Sequence, residues 1–198
     1  LTEQNSKEKG GFKMLKKMRG FTLIELLIVV AIIGILAALL IPNALEAIQK
    51  AKQKSCMKEI MSMSTSAADY ITDHGDWTNV GQNGNLTQGC AFQTAVATFY
   101  MKIIPLNDPW NTPYLVYTGQ SAVAGAISAA TDAGADDFAI ESYGRDQKAG
   151  PIQASSYTTA NPEGGFYNVS KMSDFDNDLV AWDGNWIVGP RTSLITGS

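Results

Sequence analysis

The chain is poor in the residues that most often do chemistry: its 198 positions hold one histidine, His74, and two cysteines, Cys56 and Cys90. A His-paired nucleophile therefore has one candidate base, in a polar stretch where a lone histidine is ordinary surface, and a Cys/His zinc cluster of usual spacing cannot be assembled. Neither a phosphate loop of the Gly-x4-Gly-Lys-Ser/Thr kind nor a dinucleotide Gly-x-Gly-x-x-Gly is present. Charged residues make up 17% of the chain, and beyond Ile60 only Lys102, Arg145, Lys148, Lys171 and Arg191 are basic, against fourteen acids. With a formal net charge of −4, this argues against a general nucleic-acid binder. The run Asp174-Phe175-Asp176-Asn177-Asp178 begins like an EF-hand loop, but Leu179 and Asn185 stand where that loop needs Gly and Glu. No convergent polar pocket of the kind a membrane-tethered enzyme or binding module would need can be assembled either.

What the chain does have is sharply zoned. Residues 1–19 carry six basic groups against Glu3 and Glu8, and from Phe21 to Ile41 the sequence reads FTLIELLIVVAIIGILAALLI. At about 1.5 Å per residue this run spans roughly 30 Å, the hydrocarbon thickness of a bilayer, so it reads as a membrane-spanning helix. The basic flank keeps the N-terminus in the cytoplasm. Pro42-Asn43 after a full-length span is unlike a secretory cleavage site, so the apolar segment is expected to persist in the mature protein. Met14 opens the compact basic stretch MLKKMRG and reads as the natural start. Cys56 and Cys90 then fall on the non-cytoplasmic side, where their one possible intrachain disulfide could persist; alternatively, Cys56 is simply a small apolar member of its helix stripe.

The helix should resume after Pro42, because 43–71 lacks Gly and Pro and is rich in Ala, Lys, Gln, Met and Glu. Cys56, Ile60, Met63, Ala67 and Tyr70 recur at spacings of four and three, forming one apolar stripe able to lie on a sheet. Residues 73–90 read as a loop and 91–104 as a short second helix or a helix-to-strand transition. Strands are expected at 114–118, 137–143 and 179–188, the last split by the hairpin signal Asp183-Gly184, with long loops at 119–136 and 150–174. The expectation is an α+β fold in which a long N-terminal α-helix, first transmembrane and then amphipathic, packs on a small antiparallel β-sheet.

Glu25 is the conspicuous residue, because a carboxylate in a spanning segment costs about 2.5–3.5 kcal/mol on insertion scales and normally has a partner, although one so near the helix end can also snorkel. Its context, Gly20-Phe21-Thr22-Leu23-Ile24-Glu25-Leu26 with basic residues before and an apolar run after, resembles the cleavage and methylation signature of type IV prepilins and type II secretion pseudopilins. The resemblance implies that a prepilin peptidase cuts after Gly20 and methylates the new amine of Phe21, and that Glu25 pairs with a neighbouring subunit's amine during assembly. It divides the chain into a leader at 1–20, a transmembrane helix at 21–41, the exposed half of the helix at 42–72 and a pilin-like domain at 73–198. It also implies that the stretch from Gly34 to Pro42 loosens when subunits leave the bilayer, since proline removes a backbone donor.

Three islands in the soluble part, Asp108–Tyr114, Ser142–Asp146 and Asp178–Trp182, look like landmarks of the major pseudopilin of type II secretion. In that family, late acidic loops hold calcium, which points to Asp146 and Asp178, with Asp176 as a further ligand; the alternative is that Asp and Gly are turn-formers here. Asn111 stands where the family commonly has Gly, and 150–173 is an insertion that could reshape the metal site. The resemblance implies a structural subunit, not an enzyme. Its partners would be itself, through the N-terminal helix, the prepilin peptidase, an inner-membrane assembly platform and minor pseudopilins or pilins. It would sit in the bacterial inner membrane with its C-terminal domain periplasmic, and be drawn into a filament. Two uses remain open: a periplasmic filament that drives protein export, or a surface type IV pilus for adhesion, motility or DNA uptake. Cleavage after Gly20 leaves 178 residues, long for a compact pseudopilin and ordinary for a pilin.

Overall fold

The computed structural model describes residues 20–191. The basic head at 1–19, including Met14, lies outside the described residues. The ordered elements are α1 (Leu23–His74), β1 (Asn83–Asn85), α2 (Ala91–Val96), β2 (Leu115–Thr118), α3 (Gln120–Ala126), β3 (Phe138–Ser142), β4 (Phe166–Tyr167), β5 (Leu179–Trp182) and β6 (Asn185–Pro190), with single 3-10 turns at Ala154–Ser156 and Met172–Asp176. By contacts the chain forms two units that meet at Pro42 and Asn43.

In the first unit α1 is apolar on every side, and Phe21, Leu23, Leu26, Ile28, Ile32, Ile35 and Leu39 are all exposed. It is long and apolar enough to cross a membrane. Pro42 lies inside α1 without ending it. A single lost donor costs one ladder bond, which the flanking Ala-rich turns tolerate.

In the second unit the six strands run β1-β2-β3-β5-β6-β4 across one sheet. Neighbours are antiparallel except β4 and β6, which run parallel. The stripe foreseen on α1 is the buried one: Cys56, Ile60, Met63, Ala67 and Tyr70 join Val116, Ile140 and Ala181 from the sheet and Tyr114 just before β2. Asp183 and Gly184 turn β5 into β6 with φ of 47° and 75°, the left-handed pair that a two-residue hairpin needs.

The long stretches read as loops are the sheet's second layer. Val123 from α3, Ile127, Ala130 and Ala133, with Ala154 and Tyr167 from the 150–173 insertion, bury the opposite face of the sheet against Ala139, Val180 and Val188. This explains why every residue of β3 is buried, a strand covered on both faces. The Ala, Gly and Ser of these stretches give little periodicity, yet small side chains suit close cover over a sheet. The loop at 73–90 likewise includes β1, and the helix at 91–104 ends at Val96. His74 is the last residue of α1 rather than a loop residue, stacked on Tyr70 at 4.2 Å.

Candidate functional site

The N-terminal candidates lie in the first unit. Thr22 precedes α1, and both its backbone N–H and its hydroxyl donate to Glu25 Oε2, at 2.8 and 2.7 Å, while the Glu25 N–H donates back to Thr22 Oγ1 at 3.3 Å. This is a reciprocal capping box, Thr-x-x-Glu, and it was legible in the sequence as a Thr three residues before a Glu at the head of an apolar run. The acid that looked unpartnered is therefore satisfied within one copy. Gly20 and Phe21 precede the helix, and among the described residues, chain neighbours aside, no atom lies within 4 Å of the place where a Cβ would sit on Gly20.

In the second unit the three islands come together. Asp108 accepts from the backbone N–H of Trp110 and Thr112, both at 2.9 Å, and from the Ser142 hydroxyl at 2.7 Å. Asn111 sits at φ 71°, so the left-handed backbone that glycine would take is carried by asparagine. Trp110 Nε1 donates to Gln49 on α1 at 2.7 Å, and Gln147 Nε2 donates to the Trp110 carbonyl at 2.8 Å. Ser142, at the end of β3, pairs in register with Leu179 of β5. The first island thus ties the helix to the sheet, and the second and third lie side by side.

The three aspartates nominated for calcium do not form one donor set. Asp146 is exposed and accepts from the Lys148 N–H at 3.2 Å. Asp176 gives both oxygens to the Arg145 guanidinium, at 2.7 and 3.0 Å. Asp178 is fully buried; its Oδ1 accepts from the Gly150 N–H at 2.8 Å and its Oδ2 has no partner. Among the described residues no group of three acidic, His or Cys side chains is placed to hold a metal ion, and calcium needs six to eight oxygens. In this arrangement Asp176, the further ligand, is held by a cation of the protein, so a calcium site here would draw on Asp178 and backbone carbonyls. Protein groups also fasten the loops. The Arg145 N–H donates to the Phe175 carbonyl at 2.9 Å. A Cβ on Gly144 would fall 2.7 Å from the Asn177 carbonyl, and one on Gly150 2.5 Å from that of Asp176, so only glycine lets the two segments lie this close.

Asp178 has a neighbour that the sequence did not single out. Glu141 on β3 is buried beside Asp178 and Tyr117, and burial pushes its carboxyl above the ordinary range. Burial, then the nearby Glu141, pushes Asp178 up as well. An isolated acid in a strand of apolar residues, FAIES, was the available signal. Cys56 and Cys90 are both free cysteines in the structure, so the pairing weighed from the sequence is not made there. Cys56 takes its place in the buried stripe beneath the Tyr114 hydroxyl at 3.6 Å, and Cys90 caps α2 by accepting from the Gln93 N–H at 3.4 Å.

Comparison with known proteins agrees with this geometry. Residues 15–41 match the family described as the prokaryotic N-terminal methylation motif. The chain is 32% identical to type II secretion system core protein G of Escherichia coli K12 over 123 residues, covering 59% of this chain and 83% of that protein. It is 30% identical to the core protein G of Aeromonas hydrophila over 130 residues, covering 62% and 90%. A fimbrial protein of Neisseria meningitidis serogroup B is 30% identical over 90 residues, covering 46% of this chain and 51% of its own. No solved structure matches. The match to the secretion proteins runs through most of their length, whereas that to the fimbrial protein stops near half, and the chain belongs to the family of type II secretion system core protein G, the major pseudopilins.

Proposed function

We propose that this pseudopilin is a structural subunit that is cut after Gly20, methylated on Phe21, and polymerised through α1 into a periplasmic filament that drives protein export. The observation that carries the reading is Glu25, held by Thr22 at the head of an otherwise apolar helix. In a single copy the capping box shelters the carboxylate. Cleavage creates an ammonium four residues away, and a neighbouring copy's Glu25 can neutralise it within an apolar bundle, where an unpaired charge would be costly. The exposed apolar residues along the first unit suit lipid first and other copies of the same helix afterwards. On this reading the basic head stays cytoplasmic, the second unit is periplasmic, and Pro42 is where α1 loosens on leaving the bilayer. The prepilin peptidase, an inner-membrane assembly platform and minor pseudopilins are the further partners.

The test is Glu25→Ala. It lowers the cost of residence in the membrane while removing the partner of the Phe21 amine, so cut subunits should accumulate in the membrane without filaments. Normal filament yield after shearing and electron microscopy overturns the reading.

A further inference from the structure

The outward face of α1 in the second unit is charged in two separate blocks. Lys50, Lys54 and Lys58 recur every four residues and are all exposed, as are Asp69 and Asp73, so each block forms one row on the helix. The exposed positions between the blocks, Ser62, Thr65 and Ala68, carry no charge. Lys50 is paired with Glu46 at 2.6 Å. Among the described residues Lys54 and Lys58 have no ion-pair partner. Glu59 is turned to Ser55 and Tyr114. From Lys58 to Asp69 is eleven residues, about 16 Å at about 1.5 Å per residue, twice a Debye length of about 8 Å at physiological salt. A straight helix cannot bring its own two blocks together.

The acidic block is part of a shaped surface. Asp69, Thr72, Asp73, Phe99 and Tyr100 line one open depression. The Tyr100 hydroxyl donates to Asp73 at 2.9 Å, and Phe99 stands edge-on against Tyr100 with ring centroids 4.8 Å apart. Phe99 is 82% exposed and nearby Ile103 is 78% exposed, the two large apolar side chains left open outside α1 among the described residues of the second unit. Thr98, the residue before Phe99, is a β-branched residue at φ 79°, a conformation that such side chains adopt only when the surroundings impose it. Two carboxylates above an aromatic floor suit a long side chain with an apolar stem and a cationic tip, which is a lysine.

We propose that this depression receives Lys54 and Lys58 of a second, parallel copy of the chain, a different neighbour from the one whose Glu25 meets Phe21, and that it thereby sets the axial stagger of that pair on the aqueous part of α1. The blocks share a spacing of four, so one shift of fifteen residues, about 22 Å at the helical rise, sets Lys54 beside Asp69 and Lys58 beside Asp73 together. The Phe99 ring then covers the lysine stems, which removes apolar surface from water on both copies. The proposal rests on the filament reading above and adds to it a second contact, far from Glu25.

The experiment uses the full chain in cells that form filaments. Lys54→Glu with Lys58→Glu, and separately Asp69→Lys with Asp73→Lys, should each lower filament yield at least tenfold while cleavage, membrane level and melting temperature stay unchanged. The four changes together should restore it. A cross-linking arm places Lys58→Cys and Asp73→Cys in a chain with Cys56→Ala and Cys90→Ser, where oxidation should give a ladder of linked subunits that Lys50→Cys with Asp73→Cys does not. Normal yield from either double variant, loss without rescue in the fourfold variant, or no ladder overturns the stagger contact. If Glu25→Ala abolishes filaments in the same cells, the filament reading stands regardless; if it does not, that reading has failed on its own account.

Discussion

Arg145 grips Asp176 with two parallel hydrogen bonds of 2.7 and 3.0 Å, and this ion pair bridges the segment after β3 to the segment before β5. A forked guanidinium on a carboxylate is the strong form of such a pair, but both side chains keep partial contact with water, at 34% and 21%. Its worth is therefore about 1 kcal/mol. Arg145→Ala should lower the melting temperature by roughly 2–4 °C and speed proteolysis between 144 and 152. The wild-type melt should be indifferent to a chelator. A rise on adding calcium would show that the native protein binds the ion after all.

Stability should fall as pH rises from about 4 towards neutrality. Burial pushes Asp183 up to about 6 from 3.8, and Glu141 and Asp178 move in the same direction. A carboxyl whose folded value is raised keeps its proton in the native state while the unfolded chain has already lost it. Its contribution is thus complete below the unfolded value and is lost as pH climbs through the folded one. Glu141→Gln should flatten the fall in melting temperature between pH 5 and 8, and an unchanged slope in that variant would remove Glu141 from the account.

The two thiols should differ in reactivity. Burial pushes the Cys56 thiol up to about 12, whereas Cys90 is half-exposed. Native protein should show one fast thiol, lost in Cys90→Ser, and denatured non-reduced protein should show two. Fewer than two on denaturation would mean that the cysteines pair after all.

Ile60 is the clearest probe of helix-on-sheet packing, fully buried in the middle of the α1 stripe. Ile60→Ala should cost about 2–5 kcal/mol, read as a lower melting temperature of the detergent-solubilised chain. A cost below about 1 kcal/mol would mean that the helix can settle onto the sheet without it.

Local order settled much of this protein. The span from Phe21 to Ile41, the stripe from Cys56 to Tyr70 and the turn at Asp183-Gly184 all follow from hydrophobic periodicity or from backbone preferences that neighbours in the chain impose, and the prepilin-like signature around Glu25 is a contiguous string. Tertiary structure decided the rest, because it depends on which distant segments meet. The Ala-rich 119–136 and polar 150–173 carry no period of their own, and become a layer only because β3 and β5 offer an uncovered face. The family resemblance offered Asp176 as a further calcium ligand, yet Arg145, thirty-one residues earlier, takes both its oxygens. Glu141 and Asp178 become a pair only through the pairing of β3 with β5. A charge's partner is set by distance in space, which one-dimensional spacing reports on a single helix or turn and nowhere else.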